Sequence, residues 1–159
     1  MLKFFTIGVF GSTEDDLFQK LINNNINTFC DIRQRRGVRG SKYRFVNSIR
    51  LQQRLRELNI RYIHIKELAP SKEIRDLQRK TDYQKSETKK TRDRLGKAFK
   101  DAYNEKILNP FDLNKFLDCL IQEGAENTAL FCVEEKSFAC HRSIVSNKLK
   151  ELGFKVKHL

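Results

Sequence analysis

The sequence predicts an α/β fold: a mostly parallel sheet of about five strands flanked by helices, with a charged helical insertion after the third strand. Strand-like and helix-like runs alternate through both ends of the chain, the order that crossover units impose on a parallel sheet. Thr128-Ala129-Leu130-Phe131-Cys132-Val133 is a near-continuous apolar run, as expected of a central strand covered on both faces. The 159 residues, 39% hydrophobic and 33% charged, suffice for a single α/β domain over 1–159 and argue against wholesale disorder.

Each element has a local reason. A first strand near residues 3–9 precedes Ser12 or Thr13, either of which can cap a helix with Leu17, Phe18, Leu21 and Ile22 on one face, ending at Asn23-Asn24-Asn25. A second strand covers about Ile26 to Ile32. Asn47 or Ser48 then starts a helix carrying Ile49, Leu51, Leu55 and Leu58, followed by the third strand over Ile60 to Ile65. From Ser71 to about Lys106 the chain is charged, with 12 Lys or Arg against 7 Asp or Glu, and its apolar residues are too sparse to bury a whole helix face. This stretch reads as helices broken near Asp82 to Ser86, a solvated excursion with paired charges. Asp112 can cap a further helix with Leu113, Phe116, Leu117, Leu120 and Ile121, closed by Gly124. After the 128–133 strand, a helix carrying Ile144, Val145, Leu149 and Leu152 leads to an edge-like last strand at Phe154 to Leu159.

The net charge of +12 favours an anionic partner, nucleic acid or a phosphorylated ligand. No stretch approaches the roughly 18–20 apolar residues that span a bilayer, so any membrane contact is expected to be peripheral. The four cysteines, Cys30, Cys119, Cys132 and Cys140, are never spaced as C-x-x-C, which suggests neither a zinc ribbon nor a disulfide scaffold and fits a reducing cytoplasm.

In parallel sheets, ligands bind beyond the carboxyl ends of the strands. That rule selects Gly8 after the first strand, Asp31 and Arg33 after the second, and Glu134 with Cys140, His141 and Arg142 near the next helix start. Thiol, imidazole and guanidinium arrive together where backbone N–H groups favour anions. Positive surroundings lower a cysteine pKa, which would make Cys140 a nucleophile, with His141 or Glu134 as acid/base and Arg142 as anion clamp. Consecutive helical residues point about 100° apart, so all three face one ligand only if Cys140 lies in the preceding loop. The competing readings are a buried apolar Cys140, a capping His141, a surface Glu134, and an Arg142 tied to Asp31 or Glu134. A metal at Cys132, Cys140 and His141 is not expected, because Cys132 should point into the sheet packing and a second Cys or His pair is missing. No cofactor is implied.

The second candidate region is the loop after strand two. Nine Lys or Arg and no acidic residue occur from Arg33 to Arg56, so an external anion is the natural counter-charge. Arg35, Arg36, Arg39, Lys42 and Arg44 are the phosphate-contacting candidates. Gly37 and Gly40 let the loop mould to a backbone, and Tyr43 and Phe45 offer faces for base stacking. The alternative is a solvated loop that the two rings anchor to the core.

Thr6-Ile7-Gly8, Asp31-Ile32-Arg33, Tyr62-Ile63-His64, and Cys132-Val133-Glu134 followed by Cys140-His141-Arg142 together resemble the family designated domain of unknown function 488, over nearly the whole chain. The resemblance implies one α/β domain with Asp31, Arg33, Glu134, Cys140, His141 and Arg142 clustered, and it implies no particular reaction. The chain departs from the commoner family pattern at Val9-Phe10, where His-Ser often follows T-I-G. It departs again at Gln34-Arg35-Arg36-Gly37, where a proline-containing loop is usual, and at Ala69-Pro70, which replace a glycine pair. The basic loop marks a subgroup. The leading expectation is a cytoplasmic protein that binds nucleic acid or a nucleotide-like phosphate. A Cys140-dependent hydrolase or transferase and a protein-interaction scaffold stand beside it.

Overall fold

A computed structural model describes residues 1–159. Five strands, β1 (Lys3–Ile7), β2 (Thr28–Asp31), β3 (Arg61–His64), β4 (Asn127–Phe131) and β5 (Val156–His158), form one all-parallel sheet in the order β3-β2-β4-β1-β5. Six helices accompany them: α1 (Glu14–Asn23), α2 (Ser48–Glu57), α3 (Lys72–Gln84), α4 (Lys97–Tyr103), α5 (Leu113–Gln122) and α6 (Arg142–Glu151). None is long and apolar enough to cross a membrane.

The helix starts follow the expected capping chemistry. Thr13 caps α1 through the Asp16 N–H, and Asp16 returns the bond to the Thr13 N–H, a reciprocal pair that satisfies two otherwise orphaned donors. Asp112 caps α5 through the Lys115 N–H. Asn47 precedes α2 but spends its side chain on the Val38 N–H, at 2.7 Å, and so pins the basic loop instead. Leu17, Phe18, Leu21, Leu51 and Leu55 enter the core as their spacing predicts. Ile22 and Ile49 do not, being exposed on the far sides of their helices.

β4 lies at the centre, paired with β1 in the register Lys3↔Asn127 to Ile7↔Phe131 and with β2 from Thr28↔Thr128 to Asp31↔Phe131. It ends at Phe131, earlier than the apolar run suggests, so Cys132 and Val133 lie beyond the ladder on the carboxyl rim. β2 sends its chain outward to edge strand β3, whereas neighbouring β4 sends its chain across β1 to β5. Such a reversal of direction opens a crevice between the two strand ends.

The 71–106 excursion is charged but not simply solvated. α3 ends at Gln84, within the expected break, and Ser86 adopts φ 53°. The chain then returns against the rim. Leu95, Phe99 and Tyr103 are buried, the Leu95 N–H donates to the Phe138 carbonyl, and Tyr103 Oη donates to the Leu68 carbonyl. With Ile74 of α3, four large apolar groups suffice because polar residues bury the rest of the contact. Gln78, Asp82 and Arg92 are all nearly enclosed.

Candidate functional site

The carboxyl end of β2 supplies a fixed guanidinium. Asp31 is fully buried and accepts from Arg33 Nε at 2.8 Å, Arg33 Nη2 at 2.7 Å, the Arg33 N–H at 3.1 Å and Tyr62 Oη at 2.8 Å. A two-pronged bond of this kind fixes an arginine's plane as well as its position. Arg33 Nη2 also donates to the Val46 carbonyl, and the guanidinium lies 4.7 Å over the Phe131 ring. Its Nη1 is buried and has no hydrogen-bond partner. Burial, followed by the neighbouring Asp31 charge, pushes the Tyr62 phenol up to about 12, so its proton stays in place to donate to Asp31.

Beyond β4, Glu134 is buried and meets Arg92 rather than Arg142. Arg92 Nη2 donates to Glu134 Oε1 at 3.2 Å, Nη1 to Asp82 Oδ2 at 2.8 Å, and Nε to the Ala139 carbonyl at 3.0 Å. Half-exposed Lys89 approaches Glu134 Oε1 at 3.5 Å. Arg92 thereby ties the excursion to the strand rim. Burial pushes the Glu134 carboxyl above the ordinary carboxylate range.

Arg142 is as buried as any residue of the core, yet it pairs with neither Asp31 nor Glu134 side chains. Its Nη1 donates to the Glu134 carbonyl at 2.5 Å and its Nη2 to the Glu135 carbonyl at 2.8 Å, while Nε has no partner. It holds the loop after β4 from behind. Gly8 lies in the same tight place: a Cβ there would stand 2.0 Å from the Glu134 carbonyl oxygen and 3.0 Å from Arg142 Nη2. Neither residue borders the cleft described below, so neither clamps a ligand in it.

Cys140 occupies the loop before α6 in extended conformation, φ −134° and ψ 147°, and this lets its side chain share a side with that of His141. His141 Nε2 lies 2.9 Å from the Ile32 carbonyl, which accepts its proton and turns Nδ1 toward the two thiols. Nδ1 stands 3.6 Å from Cys140 Sγ and 4.0 Å from Cys132 Sγ, and Cys132 Sγ–H donates to Glu134 Oε2 at 3.0 Å. The expectation that Cys132 points into the sheet packing is therefore corrected. The strand stops at Phe131, two residues short of the 128–133 run, and the Cys132 side chain meets Cys140 and His141. The neighbouring Cys140 sulfur, and then burial, push the Cys132 thiol up to about 11.

Arg33, Arg92, Cys132, Glu134 and His141 border a cavity of about 770 Å³ between the 33–43 loop and the inner face of the excursion. Eight lysines or arginines and three acidic residues border it. Of the residues expected there, Arg33, Arg35, Arg39, Tyr43, Glu134 and His141 line it. Arg36, Lys42 and Arg44 do not, and Arg44 belongs to a separate surface groove beside Arg50 and Arg54. Cys140 is 1% exposed and does not border the cavity, whereas Cys132 does. The stacking role expected of Tyr43 and Phe45 is corrected by burial. Tyr43 packs 5.3 Å from Phe10, accepts the Gly11 N–H, and lies 6.3 Å from buried Phe45, so both rings anchor the loop. That N–H holds the Tyr43 phenol below its usual pKa.

Arg92, Asp82 and Lys89 were not marked as site residues by sequence, and Tyr62 entered only through the Tyr62-Ile63-His64 motif. Nothing local distinguishes Arg92 from the other eleven cations of its segment.

A family model described as domain of unknown function DUF488 matches residues 14–149, most of the chain and all of the cleft except its Phe10 border. Neither the curated proteins nor the solved structures yielded a match.

Proposed function

The chain belongs to the DUF488 family, which is defined by sequence rather than by a reaction, and from that premise and the chemistry of the cleft we propose that it binds a phosphate-bearing anion, a nucleic-acid strand or a nucleotide-like ligand. The observation that carries this reading is Arg33 Nη1, a buried donor with no partner on a guanidinium that borders a predominantly cationic cavity. Leaving such a donor unpaired costs about 1–3 kcal/mol or more, and a phosphate oxygen would satisfy it. Asp31, Tyr62 and the Val46 carbonyl hold the guanidinium in place beforehand, so little side-chain entropy is lost on binding. Exposed Arg35 and Arg39 add charge at the rim.

The test is binding of single-stranded DNA, RNA, duplex DNA and a nucleoside triphosphate across a salt series. For single strands, log affinity should fall with log salt at about −0.7 per phosphate contacted, and Arg35→Ala and Arg39→Ala should each flatten the slope by about one contact without loss of fold. Tight triphosphate binding with no strand binding assigns a small ligand. Failure of all four to bind at low salt, or a slope indifferent to both substitutions, refutes the proposal.

A further inference from the structure

We infer that Cys132, Cys140 and His141 form a binding site for one divalent transition-metal ion of the zinc class, with an open fourth position facing the cleft. The donor atoms of these three buried residues all lie within 4.8 Å of one another. Zinc bonds of about 2.3 Å to sulfur and about 2.0 Å to nitrogen, in tetrahedral arrangement, set ligand-to-ligand edges of about 3.5–3.8 Å. The observed 3.6 Å from Cys140 Sγ to His141 Nδ1 meets that spacing, and the 4.0 Å from Cys132 Sγ exceeds it by a few tenths. The third edge, between the two sulfurs, lies within 4.8 Å, so an inward movement of at most about 1 Å closes the site.

The surroundings suit the same reading. A ligating imidazole normally gives its other N–H to a carbonyl or carboxylate, which fixes its tautomer and orientation. His141 Nε2 has that partner in the Ile32 carbonyl, so Nδ1 is the ring nitrogen aimed at the thiols. Cys132, His141 and Glu134 border the cleft, which gives the ion access and leaves the missing fourth position toward solvent and Glu134. Two soft sulfurs and one imidazole select zinc-like ions over magnesium or calcium, which prefer oxygen shells. As the two sulfur–metal bonds form, both thiols lose their protons, and up to two protons leave per ion bound. Two thiolates and a neutral imidazole balance the dication, so the occupied site adds no net charge beside Glu134 and its partners Arg92 and Lys89. The site does not depend on the anion proposal, because it is read without any nucleotide.

The experiment is titration of the reduced, metal-stripped full chain with Co²⁺ and then Zn²⁺, followed by absorption and by alkylation with mapping of the modified cysteines. Expected are a thiolate-to-cobalt charge-transfer band saturating at one ion per chain, its displacement by Zn²⁺, and metal-dependent protection confined to Cys132 and Cys140. Cys119→Ser should retain the band, whereas Cys132→Ser or Cys140→Ser should lose it. Where a serine variant does not fold, protection mapping on the unaltered chain decides. No band, a band that survives both serine substitutions, or protection falling on Cys30 or Cys119 overturns the inference. So does a Cys132–Cys140 disulfide in the isolated protein with no metal uptake after reduction.

Discussion

Arg92→Ala should cost about 3 kcal/mol of stability, and the loss should be felt first in the 71–106 excursion. The arginine side chain is 9% exposed and connects Asp82, Glu134 and the Ala139 carbonyl, groups from three parts of the chain. Removing one partner of a buried ion pair typically costs about 3–5 kcal/mol, because the remaining charge loses its compensation. The lower end applies here. Asp82 keeps Gln78 Nε2 at 2.7 Å, whereas Lys89 offers Glu134 little, standing 3.5 Å away on a half-exposed side chain. A loss of about 3 kcal/mol corresponds to over a hundredfold in the folding equilibrium and, for a chain of this size, to a Tm decrease of about 6–12 °C. Urea unfolding of Arg92→Ala, Asp82→Ala and the double variant measures it. The double variant should cost less than the two singles together, by about 0.5–3 kcal/mol. Hydrogen exchange should rise first at Leu95 and Phe99. A loss below about 1 kcal/mol, with the two substitutions additive, would show that Arg92 behaves as a surface charge and that the excursion is held by its apolar residues alone.

Gly8→Ala and Gly37→Ala should differ in stability although both exchange the same residues. At Gly8 the new Cβ collides with backbone, and an overpacked position typically costs about 1–3 kcal/mol or more; at Gly37 the nearest atom is 3.8 Å away, so denaturant unfolding should find no loss. Equal midpoints for the two would refute the contact between the Gly8 and Glu134 backbones. His158, whose Nδ1 lies 2.6 Å from Thr6 Oγ1, has its pKa lowered by burial and by nearby Lys150 and Arg142. The folded state therefore binds this proton less readily than the unfolded chain. The contribution is present above about pH 6.5 and is lost as pH falls through the lowered folded value. Thermal unfolding from pH 7.5 to 5 should show a shallower acid-side loss in His158→Gln, and identical profiles would remove His158 as the cause.

How far the site was legible depended on how local its causes are. The glycine, aspartate–arginine and cysteine–histidine positions follow strand ends, so the rule that ligands gather at carboxyl rims finds them without coordinates. The grip of Asp31 on Arg33 was also within reach, two residues apart at a strand end. The partners of Arg92 and Arg142 were not. Arg92 takes the Glu134 side chain and Arg142 takes the Glu134 main chain, a division that depends on how distant segments pack. Cys132 was misplaced because β4 ends two residues before its apolar run does, enough to turn a packing group into a rim group, since side chains alternate faces only while the ladder lasts.

By itself the sequence determined the alternation of strands and helices, the capping of α1 and α5, the break after α3 and the cationic character of the 33–56 stretch. These causes act over a few residues, through periodicity, side-chain hydrogen bonds and charge. Tertiary structure alone decided that β2 lies beside β4, that the charged excursion folds back as the second wall of the cleft, and that Arg33 borders the cleft while Arg142 does not. Those outcomes depend on which distant surfaces meet, and strand order and burial, rather than residue type, choose each charge's partner.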